Sequence, residues 1–142
     1  MKEQNFKNHS KWVPGYHFLS FFAIVILLVG SIRNLVVFSE GNRYVGTLLV
    51  LIAFILLFLF YFVRIFSLRT QDRVIRSEEN FRHYLLTGRQ LPQNLKMRQV
   101  IGLRFASDKE FPALVTRSVT ENLSEKEIKK EIKEWKVDFY RV

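Results

Sequence analysis

The side chains best equipped for chemistry in this 142-residue chain are three histidines, His9, His17 and His83, and four arginines, Arg64, Arg69, Arg73 and Arg76. No pair of histidines has metal-ligand spacing, and Glu79, four residues before His83, is too little on its own to make a site. Cysteine is absent, which excludes disulfides, thiolate metal sites and a cysteine nucleophile. Ser107 and Ser124 each stand three residues before a glutamate, the pattern of a helix cap and not of a GxSxG turn. Neither a phosphate-binding GxxxxGK loop nor a GxGxxG loop occurs. These residues predict no catalytic, cofactor-binding or metal site, and the chain is expected not to be an enzyme.

The arginines are different. Arg69, Arg73 and Arg76 fall at i, i+4 and i+7, one face of a helix, where permanent charges recognise anions. Residues 64 to 106 hold nine Lys or Arg against three acids, +6 of the chain's formal +9, whereas residues 107 to 142 hold eight of each sign. Lipid headgroups and nucleic acid would both accept such a patch. What precedes it decides between them.

Tyr44 to Val63 are twenty consecutive residues without a charge, bounded by Arg43 and Arg64. As a helix this run is roughly 30 Å long, the thickness of a bilayer's hydrocarbon core. Tyr16 to Ile32 make a second uncharged run, and Leu35 to Phe38 extend it past Arg33. An arginine so close to the end can reach the headgroups with its long side chain. Only Ser39 to Arg43 separates the two stretches, enough for a tight antiparallel helix pair. A cleaved signal peptide ending near Val29-Gly30-Ser31 fits worse, because the basic lead is long and the second span follows at once.

The expected fold is therefore all-α: a transmembrane hairpin with spans at about 16–38 and 44–63, a basic tail over 1–15, and a helical domain over 64–142. Lys2, Lys7 and Lys11 before the first span, and the four arginines after the second, place both termini in the cytoplasm. Trp12, Tyr16, Tyr44 and Tyr61 stand where interfacial aromatics belong. Beside a span, the arginine patch is expected to meet anionic lipid, and nucleic acid is not expected as a partner. Ala23 and Gly30, and likewise Gly46 and Ala53, are seven residues apart and predict a small-residue seam between the spans.

No Gly or Pro interrupts residues 64 to 87, so the second span is predicted to continue as one helix to Thr87-Gly88, with Val74, Phe81 and Leu85 as its apolar face. After a loop at Arg89 to Asn94, three shorter helices are expected. Their stripes are Met97, Val100, Ile101 and Phe105; Phe111, Leu114, Val115 and Val119; and Ile128, Ile132, Trp135 and Phe139. Ser107 with Glu110, and Ser124 with Glu127, are the expected capping boxes, with Pro112 an awkward presence just past the first turn.

Two resemblances bear on function. Asn122 to Ile128 (NLSEKEI) is similar to the second helix of some DNA-binding helix-turn-helix modules, but residues 129 to 140 continue the helical pattern where a separate recognition helix would have to begin. More extensively, Gln4 to His9 (QNFKNH), Glu78 to His83 (EENFRH), Leu103 to Asp108 (LRFASD) and Trp135 to Val142 (WKVDFYRV) resemble a bacterial family of small two-span membrane proteins known only as a domain of unknown function. That resemblance implies a bacterial inner-membrane protein without an assigned activity. A transporter-permease label on such relatives would have no physical support in two spans without an ATPase motif. The expected role is an accessory subunit or homo-oligomer that presents its cytoplasmic helices to a protein partner. The alternatives are a transport or membrane-lipid enzyme component, binding an anionic ligand through Arg33, His83 or the arginine cluster, and a membrane-tethered DNA binder.

Overall fold

A computed structural model describes residues 13–37 and 42–137. His9, Trp12, the tail lysines, Phe38, Ser39 and Phe139 lie outside the described residues. The described chain is helical. A π-helical segment, Gly15–Ser20, leads into α1, Phe21–Val37; then come α2, Arg43–Thr87, α3, Met97–Leu103, α4, Phe111–Thr120, and α5, Glu125–Glu131. The chain divides into two compact units at Leu68 and Arg69, within α2.

In the first unit, Gly15–Val37 and the first part of α2 are each long and apolar enough to cross a bilayer. Their large apolar side chains point outward: Ile26, Val36, Phe58 and Leu59 are all exposed. The two helices run antiparallel. The Tyr16 hydroxyl donates to the Phe60 carbonyl while the two rings stack 4.5 Å apart, and Leu35 at the far end of α1 packs on Gly46 near the start of α2. Within residues 44–63 of α2 the more buried positions are Gly46, Val50, Ala53, Leu57 and Phe60, a seven-residue periodicity. A Cβ added to Gly46 would lie 2.9 Å from Leu35 Cδ1, so hydrogen at this position is what lets the helices approach.

The first span's small residues do not join this seam. Ala23 and Gly30 are exposed, and a Cβ at Gly30 would meet nothing within 4 Å. The seam runs one residue later, through Ile24, Leu28, Ser31 and Leu35. Ser31 can lie there because its hydroxyl donates to Leu27 O at 2.6 Å, satisfying its polarity within its own helix.

In the second unit, α2 stops where expected. Gly88 adopts φ +70°, a conformation that costs glycine nothing, and its N–H closes on Tyr84 O at 2.8 Å. The face it buries is not the expected one. Val74, Phe81 and Leu85 are exposed, whereas Ile75, Glu79 and His83 are buried. Apolar periodicity misses this face because two of its three members are polar and become buriable only through polar partners, Arg82 for Glu79 and Arg89 O for His83.

The core gathers Leu95, Val100, Phe105, Phe111, Val115 and Ile128 from the loop and all three short helices. Gln99 is buried among them, and its amide donates to both Ser118 O (2.8 Å) and Leu123 O (2.9 Å). Helix α3 ends at Leu103, so Phe105 enters the core from the loop after it; Gly102 instead faces α5, where a Cβ would stand 3.2 Å from Glu125 O. The Ser107–Glu110 box does not cap α4. The helix starts at Phe111, placing Pro112 in the first turn, where its missing N–H has no cost. Glu110 accepts instead from the backbone N–H groups of Lys133 (3.2 Å) and Glu134 (2.8 Å). The Ser124–Glu127 box forms as expected, with Ser124 N–H donating to Glu127 Oε2 at 2.7 Å and Glu127 N–H to Ser124 Oγ at 3.3 Å.

Helix α5 ends at Glu131 and does not run on through Trp135 toward Phe139. Ile132 turns extended, Ser107 N–H donates to Glu134 O, Lys136 N–H donates to Phe105 O, and the Trp135 ring tilts against Phe105. Glu110 and the 105–107 backbone together satisfy four N–H or C=O groups of residues 133–136, so another helical turn has nothing to offer that segment.

Candidate functional site

Beyond residue 68, α2 carries three faces with different chemistry. The inner face is held by Arg82, whose side chain is 11% exposed. Its guanidinium pairs with Glu79 at 3.0 Å and Asp108 at 2.6 Å, donates to Ala106 O at 2.7 Å, and lies 4.3 Å above the centre of the Phe111 ring. Burial raises the Glu79 carboxyl above its ordinary pKa, and Arg82 offsets this only in part. His83 is buried beside the network, edge-on to Phe111, with Nδ1 2.7 Å from Arg89 O. A carbonyl can only accept, so Nδ1 must carry the proton and the ring fastens the start of the loop. His83 is thus a tie between helix and loop, not an exposed anion ligand.

The second face bears the arginines. Arg69 and Arg73 are exposed, but Arg76 is half-buried and donates to Leu95 O at 3.1 Å. Arg73 and Arg76 share a cleft of about 410 Å³ with Ser77, Asn80, Gln90, Leu91 and Gln93. Arg64 belongs to the other unit, and Arg69 does not line the cleft. Arg33 is exposed on α1 and also belongs to the first unit. The polar loop between Gly88 and Lys96 was legible from Pro92, but nothing in its spacing pairs Gln90 and Gln93 with particular arginines. Among the described residues, no three His, Asp or Glu side chains gather as metal ligands would.

The third face is apolar. Val74 is 50% exposed, Phe81 62% and Leu85 67%, and they recur on one side of the helix. Phe81 and Leu85 also form the apolar side of a depression of about 310 Å³ whose rim includes Glu78, Arg82, Asp108 and Lys136.

Elsewhere on the unit, electrostatics sets an acid limit. Burial alone would raise the pKa of Glu125, but Lys129 at 2.6 Å and Arg98 at 3.4 Å bring it below the ordinary 4.5. Glu127, accepting from Ser124, and Glu121, paired with Arg117, are lowered as well. A depressed folded-state pKa contributes stability that is present above about pH 4.5 and is lost as pH falls through the folded value. Melting temperature is therefore expected to drop on acidification through this window, and Glu125→Gln to flatten part of the drop. An equally steep fall in the variant would assign the acid sensitivity to other groups.

Fold and surfaces together define an all-helical protein in which two apolar helices of membrane-crossing length adjoin a small helical unit sealed by an ion-pair network. The chain belongs to DUF6526, a family of unknown function whose model covers residues 1–142. No curated protein and no solved structure matches it.

Proposed function

We propose that this protein is a non-enzymatic hairpin of the bacterial inner membrane, with both termini cytoplasmic, whose helical unit docks a membrane-held partner protein as an accessory subunit. The observation that carries the proposal is the exposed ridge of Val74, Phe81 and Leu85, with the depression beside it. Large apolar side chains aligned outside an apolar span, and rimmed by charges of both signs, have the composition of a protein-docking surface. Val74 follows Val63, the last residue of the second apolar run, by only 11 residues, so the ridge is tethered on a short stretch of chain to whatever holds that run. A partner held at the same membrane reaches it most readily, and its complementary face would be a helix bearing aliphatic or aromatic side chains. The outward apolar side chains of both long helices and the distribution of lysine and arginine support insertion in this orientation.

Purification from native membranes in mild detergent, followed by mass spectrometry, tests the docking reading. The wild-type chain is expected to retain a stoichiometric membrane partner, and Phe81→Glu with Leu85→Glu to lose it while keeping its fold. Recovery as a bare monomer, or a partner indifferent to the double substitution, would defeat the proposal; a second copy of the chain in that position would redirect it to a homo-oligomer. Because the chain has no cysteine, Asn42→Cys and Thr116→Cys give clean topology reporters. The first is expected to be labelled only from outside the cell membrane and the second only after permeabilisation.

A further inference from the structure

The cleft beside Arg73 and Arg76 is equipped for something other than protein docking. Two guanidinium groups, two glutamine amides, Asn80 and the Ser77 hydroxyl line it, and no carboxylate does. Asn80 has a fixed orientation: its Oδ1 accepts the Leu91 N–H at 2.8 Å, which leaves the Nδ2 donors for the cleft. Arg76 is likewise braced by its bond to Leu95 O, so its charge is held at the wall by a helix-to-loop tie. Arg73 makes no ion pair with any described residue. A volume of about 410 Å³ lies within the usual range of about 300–1,000 Å³ for small-ligand sites. Leu91 adds the one apolar patch.

We propose that this cleft binds a phosphate-bearing anion, with Arg73 and Arg76 on the phosphoryl oxygens and Asn80, Gln90 and Gln93 donating around them. Arginine forks match phosphate geometry, and donors held in place by the fold lose less entropy on binding than mobile lysines would. The inference is independent of the partner-docking reading, which rests on a different face of α2. The same chemistry would take a phospholipid headgroup or a soluble phosphate ester.

The full-length protein in a neutral detergent is the material for the test. Retention of phosphatidylglycerol and of phosphatidylcholine is measured by native mass spectrometry, and binding of inorganic phosphate by calorimetry. Arg73→Gln is expected to weaken anion binding about tenfold, the loss of one charged hydrogen-bonding partner. Gln93→Glu, which places a like charge in the cleft without touching the Arg76 tie, is expected to do the same. Arg69→Gln, on the same helix but outside the cleft, should change binding by less than about twofold. Selective retention of phosphatidylglycerol, displaced by added phosphate, assigns the site to headgroups; phosphate binding without lipid selectivity assigns it to soluble esters. Equal losses from Arg69→Gln and Arg73→Gln would reduce the cleft to a generally basic surface and overturn the proposal, as would no binding of either probe.

Discussion

Phe111→Ala is expected to unfold residues 69–137, with a loss of about 3–5 kcal/mol, the usual range for removing a fully buried aromatic ring. Phe111 is wholly buried at the first turn of α4, where the His83 ring meets it in a T-shaped contact and Arg82 lies over its face. A unit of this size has only about 3–5 kcal/mol of core stability to lose. Deleting the ring leaves a cavity and also removes the surface on which the Arg82 guanidinium rests. Hydrogen exchange on the full chain measures the result: protection is expected to collapse across α3, α4 and α5 while the apolar helices of the first unit keep theirs. Phe111→Leu, which preserves most of the volume, should cost considerably less. If the alanine variant retained wild-type protection, the core would not be organised around this ring.

Arg82→Ala is the second large effect, again about 3–5 kcal/mol, but for an electrostatic reason. The substitution leaves the buried Glu79 carboxylate without its cation and Ala106 O without its donor, while Asp108, largely exposed, can return to water. The cost is expected to fall mainly on Glu79, so Glu79→Gln in the same chain should recover a substantial part of it. Acid supplies an independent check. The Glu79 carboxyl is already raised by burial, and loss of Arg82 removes the main influence lowering it. A carboxyl with a raised folded-state pKa favours the fold when protonated; that contribution is present below the unfolded value and is lost as pH rises through the folded one. The Arg82→Ala deficit should therefore shrink at mildly acidic pH, before the depressed carboxylates begin to titrate. A deficit independent of both pH and Glu79 would mean that Arg82 acts mainly through its packing on Phe111.

How far such features could be read from the chain depends on whether their causes are local. The length of the apolar runs, the stop at Thr87-Gly88 and the Ser124–Glu127 cap each depend on residues within a few positions, and the structure has all three. The Ser107–Glu110 box failed although its spacing was right, because Glu110 found two N–H groups more than twenty residues away, at Lys133 and Glu134. The predicted run of α5 through Trp135 failed for the same reason, since residues 133–136 pair with 105–110. In the first span the seam shifted by one residue from Gly30 to Ser31, a polar side chain that hides its hydroxyl within its own helix.

The candidate surfaces follow this division. By itself the sequence determined that the chain is helical, that two stretches are apolar over a membrane's thickness, that a basic helix follows the second, and that cysteine chemistry is absent; these are properties of composition and spacing. Tertiary structure alone decided which side of that helix is hidden. Glu79, Arg82 and His83 became the inner face because Ala106, Asp108 and Arg89 came to meet them, and burying charge is tolerable only when its partners are in place. With the polar face turned inward, Val74, Phe81 and Leu85 were left outside, and the loop carrying Gln90 and Gln93 was laid against Arg73 and Arg76. Both proposed binding surfaces are thus consequences of one choice of face, which no periodicity in α2 could have revealed.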